Sequence, residues 1–195
     1  MEDKIRCHWC LGDELLLRYH DEEWGQPVHS DRMHFEYLTL EVMQCGLNWM
    51  MMLKKRDIFR QCFDGFDCGR VAAYDEGKIE EILAYPGMIR SERKVRAVIG
   101  NARRFLETAG EFGSFDRYLW GFSDGKSMLY RDRQHYATSR LSDEISRDMK
   151  KRGFKFLGSI TVYAHLETCG IVNDHSEFCW KYAALAKNCV PAEHY

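Results

Sequence analysis

Five side chains at the two ends of the sequence have the types that hold metal ions: Cys7, Cys10 and His20 near the start, His175 and Cys179 near the finish. His175 and Cys179 are four residues apart, which puts both on one face of a helical turn. Two ligands from the front would complete a Cys2His2 or Cys3His set, the usual company of tetrahedral zinc. A closed set of four leaves no position for water, so such a site would be structural. It would tie the two terminal regions together and add metal-binding free energy to folding. Spacing alone leaves the front pair open. Cys7 with Cys10 is the commoner zinc pair, Cys7 with His20 is the alternative, and unrelated polar side chains are the ordinary reading.

Glu41 is the second feature with chemical meaning, because it interrupts the apolar run LTLEVMQC. A carboxylate there is costly to bury unless it meets a donor or a cation. The ordinary explanation is an ion pair with a nearby Arg or Lys. Trp9, Tyr19, Trp24 and Trp49 are aromatic candidates for the walls of a pocket around it. A third feature is KRGFKFLG at 151–158, between two expected helices. A helix N-terminus offers unsatisfied N–H donors and a positive dipole end to an anion. Gly153 and Gly158 allow tight turns and close backbone approach, and Lys151 and Lys155 add charge. The competing explanation is a packing corner with Phe154 and Phe156 buried.

These residues need a scaffold, and 195 residues at 45% hydrophobic can bury a sizeable core. Three prolines and long 3.6-residue periodicity argue for a mainly helical, all-α chain. Helices are expected near 31–45, 48–63, 67–74, 76–85, 91–108, 114–121, 142–152 and 159–169. Ser142-Asp143-Glu144 is the expected start of the seventh. Residues 122–140 read as a loop or short hairpin around Ser123-Asp124-Gly125. MEDKIRCHWC lacks the apolar stretch of a signal peptide, and no apolar run is long enough to cross a bilayer, so a cytoplasmic protein without membrane contact is expected. The eight cysteines are then expected as thiols, with at least four serving as filler. The net charge of −2 does not advertise a nucleic-acid binder. The basic residues are nevertheless clustered, at 54–56, 90–96, 103–104 and 150–155, and a local patch is enough to hold a few phosphates, although for any one block a solvated helix face is the ordinary reading.

Seven stretches occur in order over residues 7–182: CHWC, YHDEEWGQP, LEVMQCGLNW, LKKR, GMIRSERKVRAVIGNAR, KKRGFKFLGSITVYAHLETCGIVNDH, and His175 with Cys179. Together they resemble the DNA-3-methyladenine glycosylase I family, within the helix-hairpin-helix glycosylase superfamily. The resemblance implies a base-excision repair hydrolase that releases 3-methyladenine from alkylated double-stranded DNA and leaves an abasic site. It implies one structural zinc ion held by Cys7, His20, His175 and Cys179, with Cys10 outside the set. It makes Glu41 the catalytic-site carboxyl that accepts hydrogen bonds from the damaged base, with Tyr19 and Trp49 beside it and Trp9 and Trp24 as further walls. Leu47 matches the loop that enters DNA, and Gly153, Lys155 and Gly158 belong to the hairpin that holds a phosphate. Asn173 stands where many superfamily relatives carry a catalytic Asp, which leaves Asp174 to orient His175. No Lys stands where a lyase would use one, so a monofunctional enzyme is implied. A single unit is expected, with 1–65 and 170–195 forming a zinc-stapled lobe and 66–169 a helical lobe, and a monomer.

The chain departs from the family pattern at Leu16, where an aromatic is usual, and at Val42, Cys45 and Asn48. All four lie near the presumed pocket and bear on lesion range. The tail after Ala183 carries no part of the resemblance. Two other functions fit the same residues: a protein that binds damaged DNA without cutting it, and a zinc-stapled scaffold for protein partners. Glu41 among aromatics argues against the scaffold.

Overall fold

The computed structural model describes residues 4–130 and 137–192. Local side-chain chemistry sets where its helices begin. Helix α1 (Glu14–Glu22) starts after Asp13, whose carboxylate accepts from the N–H of Leu15 and Leu16 at 2.8 and 3.3 Å. Helix α2 (Asp31–Gln44) follows, and then α3 (Trp49–Cys62), capped by Asn48 accepting from Met51 N–H at 2.9 Å. Short helices α4 (Cys68–Ala72) and α5 (Glu76–Ala84) lead to the long α6 (Glu92–Phe112), which Gly113 ends at φ 88°. Helix α7 (Phe115–Gly121) precedes strand β1 (Ser127–Tyr130). Then come α8 (Arg140–Lys151), α9 (Ser159–Thr168), α10 (Trp180–Ala186) and strand β2 (Cys189–Ala192).

The eight expected helices correspond to α2 through α9, and the chain is mainly helical as its periodicity implies. Three differences have clear physical causes. Helix α8 begins at Ser139 rather than Ser142, because the two serines form a reciprocal cap: each hydroxyl takes the other's backbone N–H, at 3.2 and 2.8 Å. Within 122–140, β1 pairs in parallel with β2, Ser127 opposite Cys189 and Tyr130 opposite Ala192, so its partner is the tail and not a hairpin neighbour. The remainder of that expectation, 131–136, lies outside the described residues. Finally, α1 and α10 arise in stretches where no helix was expected.

Helix α2 is the axis of the molecule. Ten consecutive residues, His34 to Met43, are buried, so neighbours cover it on every side. Its C-terminal carbonyls are satisfied by Lys94, whose Nζ donates to Met43 O and Cys45 O at 2.7 Å each. The larger core gathers Phe35, Tyr37, Leu40 and Met43 with Val98, Phe105, Leu166 and Ile171, and so draws on both parts of the chain expected to form separate lobes. A smaller apolar cluster joins Cys7, Tyr19, Trp24, Leu53 and Cys179.

The turn after α9 decides how the terminal regions meet. Gly170 has φ +74°, and a Cβ there would lie 2.5 Å from the backbone of Gln26 and Pro27. Replacing it with alanine therefore forces a main-chain clash in a backbone region unfavourable to L residues. Gly170→Ala is expected to cost about 3 kcal/mol or more, measured as a lower urea midpoint at unchanged slope. An unshifted midpoint would mean that the two segments can separate freely.

Candidate active site

Helices α1, α2 and α9, with the starts of the chain and of α3, line an open cavity of about 260 Å³. Its walls are Trp9, Tyr19, Trp24, Glu41, Gln44, Trp49, Ala164, Glu167 and Thr168. The structure thus brings together Glu41 and all four aromatics singled out from the sequence. Tyr19 and Trp49 have ring centroids 5.5 Å apart, and Trp9 meets Trp24 edge-on at 5.0 Å. Tyr19 is held by a hydrogen bond between its hydroxyl and Thr168 Oγ1 at 3.2 Å.

Glu41 is 2% exposed, and its Oε2 has no hydrogen-bond partner among the described residues. The expected alternative, an ion pair, does not arise among the described residues. Lys94 is committed to the carbonyls at the end of α2, and Arg56 to Glu23 at 2.7 Å and Glu36 at 2.6 Å. Burial pushes the Glu41 carboxyl up to about 8, so the protonated form prevails at neutral pH. An acid held in apolar surroundings without a counterion is poised to receive a cationic or hydrogen-donating guest.

Gln44, Ala164, Glu167 and Thr168 were not singled out from the sequence. Gln44 follows Glu41 by three residues and so shares its helix face. Glu167 and Thr168 come from α9, more than a hundred residues away, and only the packing of α9 on α2 reveals them. The Glu167 carboxyl is raised by burial and by a hydrogen bond and like charge from Asp174. Asp174, expected to orient His175, also meets Glu167. The carboxylate beside a ligand-type imidazole is Asp21, 2.8 Å from His20 Nδ1.

Behind the aromatic wall, Cys7, His20, His175 and Cys179 bring one donor atom each to within 4.8 Å of one another, all buried. Cys179 Sγ lies 3.4 Å from His20 Nε2 and 3.7 Å from His175 Nδ1, and Cys7 Sγ lies 3.5 Å from His175 Nδ1. A tetrahedral zinc with ordinary Zn–S and Zn–N bonds separates S from N by about 3.6 Å. The four residues therefore fit that ion without rearrangement. Cys10 stands apart, its thiol donating to Cys7 O at 3.0 Å. The quartet and the cavity share a wall, since Trp24 lies 4.4 Å from the His175 ring and Trp9 5.5 Å from the His20 ring.

Between α8 and α9 the turn at 152–158 is pinned at several points. Gly153 has φ +91°, Asn101 clamps Lys155 through its N–H at 2.8 Å and its carbonyl at 2.9 Å, and Ser146 donates to Leu157 O at 2.9 Å. Phe154 and Leu157 are buried, whereas Phe156 is only partly so, with Arg93 over its ring. Lys151, Lys155 and Gly158 are exposed. Gly158 sits at φ −71°, so the backbone conformation does not demand glycine; a Cβ there meets nothing within 4 Å, and no side chain caps α9. Leu47 is 39% exposed on the loop between α2 and α3, beside Trp49. The clustered basic residues are less available than their sequence positions suggest. Arg56, Arg96, Arg104 and Arg152 are in ion pairs, and Lys94 caps a helix.

Residues 9–182 match the family model described as methyladenine glycosylase. The chain is 38% identical over 180 residues to DNA-3-methyladenine glycosylase 1 of Escherichia coli (strain K12), covering 91% of this chain and 96% of that protein. It superposes with a TM-score of 0.86 on a crystal structure of 3-methyladenine DNA glycosylase I, at 39% identity over 90% of this chain and 98% of the other. A variant of 3-methyladenine DNA glycosylase I in complex with 3-methyladenine is similar with a TM-score of 0.85, at 29% identity over 91% and 97%.

Proposed function

This chain belongs to the methyladenine glycosylase family, and from that premise we infer that it is a DNA base-excision repair glycosylase that releases 3-methyladenine from alkylated DNA. The observation that carries the reading is Glu41, a buried carboxyl without a partner, aimed into a cavity walled by Trp9, Tyr19, Trp24 and Trp49.

To reach the glycosidic bond, the nucleotide must leave the duplex and enter the cavity. Leu47, exposed on the loop two residues before the cavity residue Trp49, is suited to fill the gap left in the base stack. Alkylation at N3 makes the adenine cationic, so it departs as a neutral base and needs no general acid. Aromatic faces attract such a cation, and its positive charge draws the Glu41 proton off, giving a carboxylate that accepts from the base edge. Unmodified adenine brings no charge and leaves the acid buried and unpaired. The C1′–N bond breaks as positive charge grows on the sugar, and water adds at C1′, producing an abasic site. No lysine serves as a covalent nucleophile, so the strand stays intact. The substrate is double-stranded DNA, and the protein acts as a cytoplasmic monomer. Cys7, His20, His175 and Cys179 hold one structural zinc, which when bound keeps the terminal regions and the aromatic wall in place.

The turn at 152–158 and the uncapped start of α9 hold a phosphate in helix-hairpin-helix fashion, with Lys155 adding charge. Lys155→Ala is expected to weaken binding to every duplex alike and to lower the slope of log affinity against log salt by about 1. An unchanged slope would take Lys155 off the DNA.

The reading is tested by incubating the protein with N3-methylated duplex and separating free base from polymer. Release of 3-methyladenine with abasic but unbroken strands is expected. Tight binding without any release would make the protein a damage binder instead.

A further inference from the structure

A second group of metal-type donors lies in the core, away from the terminal quartet. His34 on α2, His165 on α9 and Cys169 at the end of α9 are all fully buried, and each offers one donor atom within 4.8 Å of the others. Two features separate this group from ordinary core packing. First, three imidazole nitrogens, His34 Nδ1 and both of His165, have no hydrogen-bond partner among the described residues. Leaving such groups unpaired in the interior costs about 1–3 kcal/mol each. Second, the other nitrogen of His34, Nε2, is held by the Asp116 carboxylate at 3.1 Å. A carboxylate on the far side of an imidazole is the usual support of a metal-ligating histidine, since it fixes the tautomer and raises ligand basicity.

We propose that His34, His165 and Cys169 form a second metal site, which takes a zinc-class divalent cation. His165 and Cys169 repeat the four-residue spacing of His175 and Cys179, so one turn at the end of α9 supplies two donors to one point. On loading, the Cys169 thiol gives its proton to solvent and forms the metal–sulfur bond, while the two imidazoles donate lone pairs. The charges then cancel: a dication against one thiolate and the Asp116 carboxylate, as a dry interior requires. Ordinary metal–ligand bond lengths bring S and N within about 3.8 Å of each other in a trigonal arrangement, so no pair has to close by more than about 1 Å. With no donor exposed, the ion enters during folding rather than afterwards. Its place gives it a task. Glu41 lies two helical turns after His34 on α2, and Glu167 lies between His165 and Cys169, so the ion pins together the two helices that carry the carboxyls of the cavity.

The test is to refold the full chain with excess Co(II), remove unbound metal, and measure metal per chain together with thiolate-to-cobalt absorption. Two ions per chain and the intensity of three thiolates are expected for the unaltered protein. His165→Gln should bind one ion fewer, and Cys169→Ser should lose one thiolate's worth of absorption. Should either variant fail to fold, the count on the unaltered chain decides. One ion per chain, or a count and spectrum that neither substitution changes, would overturn the proposal.

Discussion

Glu41→Gln is expected to lower excision of 3-methyladenine about 100-fold while making the empty protein more stable above neutral pH. Both halves come from one side chain. The loss arises because an amide cannot become the carboxylate that balances a cationic base, an electrostatic interaction of the size lost with a single preorganised group elsewhere. The gain follows from linkage. The folded-state value of about 8 lies above the ordinary 4.5, so the native protein holds a proton that the unfolded chain releases. The stability carried by the protonated form is complete below pH about 4.5 and is lost as pH rises through about 8, a change on the order of 5 kcal/mol in full and about 4 kcal/mol by pH 8. Glutamine removes that slope. With about 2 kcal/mol set against the gain for an unpaired buried amide, the variant should be about 2 kcal/mol more stable at pH 8 and show a flatter profile. Denaturant unfolding across pH, beside the excision assay, reads both. Undiminished excision would remove Glu41 from the site. A variant less stable than its parent at pH 8 would show that the carboxyl has a partner.

The second large effect concerns the terminal quartet. Cys179→Ala should destabilise the protein by about 3 kcal/mol or more, a fall in melting temperature of about 6–12 °C. Cys179 touches both histidines of the set, so its loss removes two of the close donor contacts at once. The aromatic wall rests on those histidines through Trp9 and Trp24, and so base binding should weaken as well, though less than with Glu41→Gln. A melting temperature equal to that of the parent, with equal metal content, would show that no ion is held there.

How much of this could be read from the residues depends on how local the cause is. Helices α2 to α9 were legible because their apolar residues, and for α3, α4, α5, α7 and α8 a side-chain cap as well, lie within or directly before each segment. Helix α1 was not, although Asp13 caps it, because ELLLRYHDE mixes its apolar residues with charges and buries only Tyr19 and His20. The β1–β2 pair was hidden because its strands are sixty residues apart and only four residues long each. The same division holds in the site. Glu41 stood out as a charge within an apolar run, and the aromatics and quartet ligands stood out by type. Glu167 and Thr168 carried no such mark, since α9 looks like an ordinary core helix until it is packed on α2. Asp174 was given a partner from its neighbour in sequence, and the interaction with Glu167 that packing adds carried no mark there. Arg56, Arg96 and Arg152 stood in basic clusters, and sequence shows the bases in a cluster but not the acids that fold against them.

The central claim is that a buried acid in an aromatic box gives up its proton to receive the damaged base. The carbon-13 resonance of the Glu41 carboxyl reports that event directly, with the aromatic fluorescence of the cavity marking occupancy. At pH 7, adding a methylated duplex with an uncleavable sugar should quench the fluorescence and move the Glu41 carboxyl from its protonated to its ionised position, while an unmethylated duplex leaves it protonated. Saturating occupancy with a Glu41 resonance that stays where it began would contradict the account.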